Sequence, residues 1–339
     1  MKKLSKLPRR AAYRIFGKSF GWLHRNYNAL LGINTTYRLC KSINHLAYWK
    51  RMSLHRAAYL KDFDRLLSEN GPVGKLPQNL LRDGWAIDRS GTLPYLQELL
   101  EQSDRLIAER AGDGAIPSEH KPFFSSLYKD GDLDRNPAFL DFVLSSEVLA
   151  TVAHHMGCAP ILSRDSPPGV RIMESNQAYS SEPIGVYTAS QLYHLDLHDR
   201  PVVYVIVLLK DTTLDSGPWH FLPASVSQRA RRLLRYQQKN EPYRISDERM
   251  YSVVDPEEAV VFTGKAGDVL FIESSSCFHF GSRDAVVPRY QLMYAFTTPC
   301  RGDLREWMYF GQRPEPTGSD SELRKMVLRH SKTARTSKG

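Results

Sequence analysis

Cysteine is scarce, with four in 339 residues. Cys40, Cys158, Cys277 and Cys300 are widely scattered and include no CxxC pair. That excludes a structural zinc motif and the dense disulfide framework of small secreted domains, and it fits reduced thiols in a cytoplasmic protein. No run of 18 apolar residues occurs, so no conventional membrane-spanning helix is expected. A secretory core is missing too, because Leu4, Leu7 and Ala11-Ala12 are broken up by Lys6, Pro8, Arg9 and Arg10. Internal repeats are absent. With 42% apolar residues, wholesale disorder is excluded as well.

Carboxylates are missing from the first 61 residues, which hold 14 Lys and Arg; the first acid is Asp62. The last 20 residues carry six basic side chains and two acids. Residues 62–319 therefore keep 26 basic and 35 acidic residues, a net of −9, although the whole chain is +9. An acidic body with basic ends argues against a nucleic-acid groove in the core, and no nucleic-acid partner is expected. Residues 1–70 read as helical, with breaks near Gly32 and Ser53. Their mixture of Tyr13, Phe16, Phe20 and Trp22 with arginines suits peripheral contact of residues 1–61 with an anionic membrane, or packing on the acidic body.

Composition and turn signals divide the chain into a basic helical extension (1–75), a body (76–312) and a basic tail expected to be mobile (313–339). Leu81–Ile87 reads as a turn entering a strand. Thr92 is expected to cap a helix with Pro94 in its first turn, and a second helix is expected from Pro137 to Met156, closed by Gly157. From residue 169 short β-rich runs dominate: Val170–Met173, Ile184–Tyr187, Val202–Leu209, Ala259–Phe262, Val269–Ile272 and Tyr290–Thr297. Strands without intervening helices predict an antiparallel barrel or jelly roll. The charged segment 226–250 is the exception, expected as a helical excursion or lid.

Within the β-rich part lies Tyr193-His194-Leu195-Asp196, followed later by Phe278-His279 and Arg289. On an extended strand residues i and i+2 share a side, so His194 and Asp196 can aim at one point. With His279 they make two imidazoles and a carboxylate, the donor set of a non-haem Fe(II) facial triad. Arg289, entering the next strand, can grip a carboxylate bidentately, a charge-assisted interaction worth roughly 1.5–3 kcal/mol. Arg283 competes for that role but falls in a turn. His198 continues the row as a neighbouring or substrate-facing group, His220 reads as structural, and His154-His155 as helix-terminal. Gln191 flanks the first ligand.

These residues, in this order, resemble the phytanoyl-CoA dioxygenase-like iron(II)/2-oxoglutarate oxygenases over roughly residues 78–300. The resemblance takes in Arg82-Asp83-Gly84-Trp85, His194-Leu195-Asp196, Asp215-Ser216-Gly217-Pro218, Leu222-Pro223-Ala224-Ser225, Gly267-Asp268-Val269-Leu270-Phe271, His279 and Arg289. It implies an α+β protein built on a double-stranded β-helix (jelly roll) with flanking helices and the basic helical N-terminal extension. It further implies Fe(II), 2-oxoglutarate and O2 as cofactors, with His194, Asp196 and His279 as iron ligands and Arg289 anchoring 2-oxoglutarate. Gln191 and Tyr204 are candidate co-substrate contacts. The activity implied is hydroxylation, with release of succinate and CO2; the charge distribution adds a lipid-linked or glycan-linked substrate as an expectation beside a soluble small molecule. Two other readings use the same barrel: a cupin-type isomerase or hydrolase, and an inactive binding protein. The first would add a Glu shortly after the His pair, where none stands before Asp199 and Asp211; the second has no reason to retain all four groups.

Overall fold

The computed structural model describes residues 30–47, 49–63, 75–112, 116–118, 121–129, 131–163, 169–180, 182–300, 320 and 322–328. Helices Ile33–Ala47 (α1), Trp49–Ala58 (α2) and Lys75–Asp83 (α3) lead into strand Trp85–Asp88 (β1) and helix Leu96–Arg110 (α4). Strands Ile116–Ser118 (β2) and Lys121–Ser126 (β3) precede helices Asp132–Arg135 (α5), Ala138–Val143 (α6) and Ser146–Met156 (α7). Then come Ile161–Leu162 (β4), Val170–Ser175 (β5), Val203–Leu208 (β6) and Trp219–Phe221 (β7). Helices Ala224–Leu233 (α8) and Asp247–Tyr251 (α9) separate β7 from Val260–Phe262 (β8), Val269–Glu273 (β9), His279–Phe280 (β10) and Arg289–Thr297 (β11), and Glu322–Leu328 (α10) follows.

The strands form two antiparallel layers. One runs β1-β9-β6-β11-β5-β3-β2, with β4 also on β11; the other runs β10-β7-β8. Two bridges widen the second layer, His194 with His279 and Tyr193 with Ile245. The central strand β6 shows why its sequence is apolar throughout rather than alternating. Val203, Val205 and Val207 join the cluster under the helices, while Tyr204, Ile206 and Leu208 join a second cluster with Trp219, Phe221 and Phe262 of the smaller layer. A strand covered on both faces buries every side chain, each worth roughly 1.5–3 kcal/mol. The result is a mixed fold of helices on one face of an antiparallel sheet, with a second sheet on the other.

Several expectations shift. The helix expected over Pro137–Met156 is two helices, because Ser145 adopts extended backbone ahead of α7; the apolar stripe continues across the break and conceals it. Gly157 does close α7, in the left-handed conformation at φ 62°. α4 starts at Leu96 rather than Thr92, after Tyr95 at φ 61°, and the Thr92 hydroxyl instead lies 2.8 Å from the Ser90 hydroxyl. Ile184–Tyr187 is a turn about Gly185 (φ 86°), with Ile184 64% exposed. Segment 226–250 is helical in part as expected. It forms a third cluster in which Ala230, Tyr236, Ile245 and Met250 pack against Tyr193, Leu195 and Phe278.

At the ends, the described part of the acid-free segment packs on the body: Lys41 pairs with buried Asp199, and the His55 ring contacts the Ala159 carbonyl at 2.7 Å. Leu39, Ile43, Leu46, Trp49, Leu54 and Leu60 of the same segment are exposed. Residues 1–29 lie outside the described residues. The tail expected to be mobile contains α10, whose Val327 and Leu328 are buried in the main cluster and whose Arg324 pairs with Asp141 at 2.6 Å. Among the described residues no helix is long and apolar enough to cross a membrane.

Candidate metal centre

His279 opens β10, held between β7 on one side and His194 on the other. The two histidines exchange backbone hydrogen bonds, each N–H donating to the other's carbonyl at 3.1 Å. This reciprocal pair sets the rings side by side, with centroids 4.4 Å apart. Two residues on, the Asp196 N–H donates to the Ser274 carbonyl at 3.0 Å, which returns its carboxylate towards the rings. Asp196 Oδ2 lies 3.7 Å from His279 Nε2. One nitrogen or oxygen from each of His194, Asp196 and His279 falls within 4.8 Å of the others, the one such cluster of three among the described residues.

Each imidazole is held in one orientation. His194 Nδ1 lies 2.9 Å from the Leu192 carbonyl and His279 Nδ1 lies 3.0 Å from the Cys277 carbonyl. A carbonyl accepts, so both Nδ1 atoms carry the proton and both Nε2 lone pairs face inward. Trp219 stacks on His279 at 5.0 Å and 18°, and its indole N–H donates to Gln291 Oε1 at 3.1 Å. Phe278 and Leu195, each beside a ligand, are fully buried in the third cluster, so the excursion braces the site from behind.

Burial pushes both imidazoles below their ordinary 6.5. Burial would raise Asp196, but the neighbouring histidines, His279 foremost, outweigh it and hold the carboxyl below its ordinary range. Neutral imidazoles beside a carboxylate are the protonation state that a divalent cation needs. The unfolded chain takes up protons before these folded imidazoles do. Without metal, the protein is therefore expected to lose stability as the pH falls below 6.5, and less so in a His194→Gln variant. Denaturant midpoints measured from pH 8 to pH 5 check this; a wild-type midpoint constant across that range would contradict it.

A cavity of about 230 Å3 opens beside the triad, lined among others by Tyr204, Trp219, Arg289, Gln291, Arg171 and Lys121. Arg289 is 1% exposed. Its guanidinium donates to the Gly217 carbonyl, to Ser175 Oγ at 3.1 Å and to Ser282 Oγ at 2.8 Å, while Nε has no partner. None of these acceptors is a carboxylate, and burial alone pushes the group down to about 9.

Arg283 is spent elsewhere, in two bonds of 2.7 and 2.8 Å to Asp247 and over the Phe280 ring. Gln191 does not line the cavity. Its amide donates to the Ser282 carbonyl at 2.7 Å and accepts from the Thr188 N–H at 3.1 Å, so it shapes a turn. His220 stacks on Phe280 and is structural. His155 reaches across to Glu273 at 2.6 Å, tying α7 to β9. Sequence reasoning passed over Lys121 and Arg171. Along β5, Arg171, Met173 and Ser175 alternate with Ile172 and Glu174, and the odd members meet Met293, Gln291 and Arg289 across the ladder.

No protein-family model and no curated protein sequence matches the chain. Solved structures with a similar chain course include the epimerase SnoN in complex with Fe3+, alpha-ketoglutarate and nogalamycin RO, at 14% identity and a TM-score of 0.44 over 67% of this chain and 84% of that one. Others are the non-haem alpha-ketoglutarate-dependent carbocyclase SnoK (14%, 0.44, 68% and 85%) and EctD from S. alaskensis with 2-oxoglutarate and 5-hydroxyectoine (13%, 0.45, 68% and 78%). Likeness at this level assigns no residue here.

Proposed function

We propose that the chain is a non-haem Fe(II)/2-oxoglutarate-dependent oxygenase, its two sheets being the halves of a double-stranded β-helix within an oxygenase domain spanning 76–312. The observation that carries this reading is the convergence of His194, Asp196 and His279, with both Nε2 atoms turned inward, beside a buried arginine that lacks a carboxylate. The donors fit the metal. Two imidazole nitrogens and one carboxylate oxygen suit Fe(II), and Asp196 Oδ2 is a buried acceptor without a hydrogen-bond partner. A cupin-type centre would need a further glutamate, and the three-residue cluster contains none.

When bound, iron and 2-oxoglutarate supply oxidation by O2, with succinate and CO2 released. The chain's own residues do the rest. His194, Asp196 and His279 would hold the metal, beside the cavity. Arg289 holds the far carboxylate of 2-oxoglutarate, with Ser175 and Ser282 keeping its fork in place. Trp219 fixes the His279 ring plane, and Tyr204 walls the cavity. The intact carboxylate at 196 favours hydroxylation as the outcome. An anaerobic titration of metal-free protein with Fe(II) and 2-oxoglutarate tests the reading: a weak visible charge-transfer band is expected, and its absence from the wild-type protein would remove the proposal.

A further inference from the structure

Arg289 answers for one anion, yet the cavity holds two more cations. Arg171, half-buried on β5, faces the cavity because its neighbour Ile172 is fully buried on the other side of the sheet. Its Nε is buried with no partner. One of its terminal nitrogens lies 2.8 Å from the Met293 thioether, a weak acceptor, and its guanidinium sits 5.9 Å from the Tyr204 ring. Lys121, also half-buried, lies over Phe124 at 5.6 Å; among the described residues neither it nor Arg171 has an ion pair. Elsewhere among the described residues Arg110 is matched with Asp132 and Arg283 with Asp247. Two sheltered like charges on one cavity wall are unfavourable unless an anion joins them.

In the oxygenase reading the far carboxylate of 2-oxoglutarate belongs to Arg289, which leaves these two cations for another anion. Arg171 stands four residues along the ladder from the Ser175–Arg289 pair, about 13 Å of backbone. Charge leads the same way. A divalent metal, Asp196, a dianionic co-substrate and Arg289 balance one another, which leaves Lys121 and Arg171 uncompensated. We propose that the prime substrate carries an oxyanion, a carboxylate or a phosphate, and that Arg171 is the residue that receives it, with Lys121 lining the same cavity. The proposal rests on the oxygenase reading for the identity of the cavity's other occupants, but not for the anion site itself. Burial and then Arg171 push Lys121 down to about 8, so an anion arriving there is met by one permanent and one adjustable cation.

Calorimetric titration of the full chain, loaded with Mn(II) and 2-oxoglutarate so that Arg289 is occupied, tests this with three probes of one shape: benzoate, phenyl phosphate and neutral benzamide. At least one anion is expected to bind about tenfold or more tightly than benzamide, and the better of the two distinguishes carboxylate from phosphate. Arg171→Met is expected to remove that preference while leaving 2-oxoglutarate affinity within about twofold, and Arg171→Lys to keep part of it. Equal binding of benzamide, no binding of either anion, or a loss of 2-oxoglutarate affinity in Arg171→Met would each overturn the assignment. If the wild type fails to load with metal and 2-oxoglutarate, the oxygenase reading falls. The same three titrations on metal-free wild type and metal-free Arg171→Met then decide the anion site independently, since only an anion held by Arg171 is lost in the variant.

Discussion

His279→Ala is expected to abolish the Fe(II)/2-oxoglutarate band and to weaken binding of the metal alone by more than about 100-fold, since even outer hydrogen-bond partners of a metal site are worth 10–100-fold. The site offers three inward atoms, and His279 supplies one while its backbone places another, through the reciprocal bonds to His194. An alanine keeps those backbone bonds, so the remaining pair of His194 and Asp196 stays in position and the loss reads the imidazole itself. Some stability goes as well, because Trp219 loses the ring it stacks on. A control separates the two effects. His220 is adjacent to β10, stacks on Phe280 and does not line the cavity, so His220→Ala should cost comparable stability and leave metal binding intact. Calorimetry with Mn(II), which avoids oxidation, measures both variants. Metal affinity within tenfold of wild type in His279→Ala, or an equal loss in His220→Ala, would contradict the assignment of the centre.

The centre was legible because it depends on residue types that are rare in apolar strands, but the reasoning about spacing was only half right. His194 and Asp196 do share a side, yet not on a regular strand: the pairing there is a single bridge on each flank, and it is His279 and Ser274 that fix the two side chains. Strands β6 and β9 and the 292–296 stretch of β11 were legible because both faces are covered, which leaves runs of apolar sequence. Strands bearing or flanked by proline were not. Trp219–Phe221 is three residues between Pro218 and Pro223, and β3 contains Pro122, which signals against a strand from sequence alone. Ile184–Tyr187 shows the reverse error, an apolar composition around Gly185 that is in fact an exposed turn. Proximity in sequence to His194 says nothing about which way the Gln191 amide points, and here it bonds the Thr188 N–H and the Ser282 carbonyl. Arg171 and Lys121 escaped because a lone cation in a strand looks like a solvated one until the layers are assembled.

Arg289→Met should separate function from stability more sharply than any other substitution in the chain. In most proteins, removing a fully buried charge breaks an ion pair and costs several kcal/mol, because the partner is left alone in a dry interior. Here no partner carboxylate exists to be stranded: the guanidinium donates to a carbonyl and two serine hydroxyls, and Ser175 and Ser282 keep each other, at 2.8 Å, once the arginine is gone. Burial without a counter-charge already works against the charged form, which is why the group is pushed down to about 9. Methionine is close enough in shape to fill the space. The variant is therefore expected to unfold within a few degrees of wild type when no ligand is present. Binding of 2-oxoglutarate should fall by about 100-fold, as expected for losing a charge-assisted, bidentate grip of roughly 1.5–3 kcal/mol and leaving the diacid's far end unpaired. Differential scanning calorimetry with and without 2-oxoglutarate measures both terms in one experiment. Wild type should gain melting temperature with the diacid and the variant should not. A variant that melts far below wild type without ligand would show that Arg289 serves the fold, and one that keeps the 2-oxoglutarate shift would show that the anchor lies elsewhere on the cavity wall, with Arg171 and Lys121 the next cations to replace.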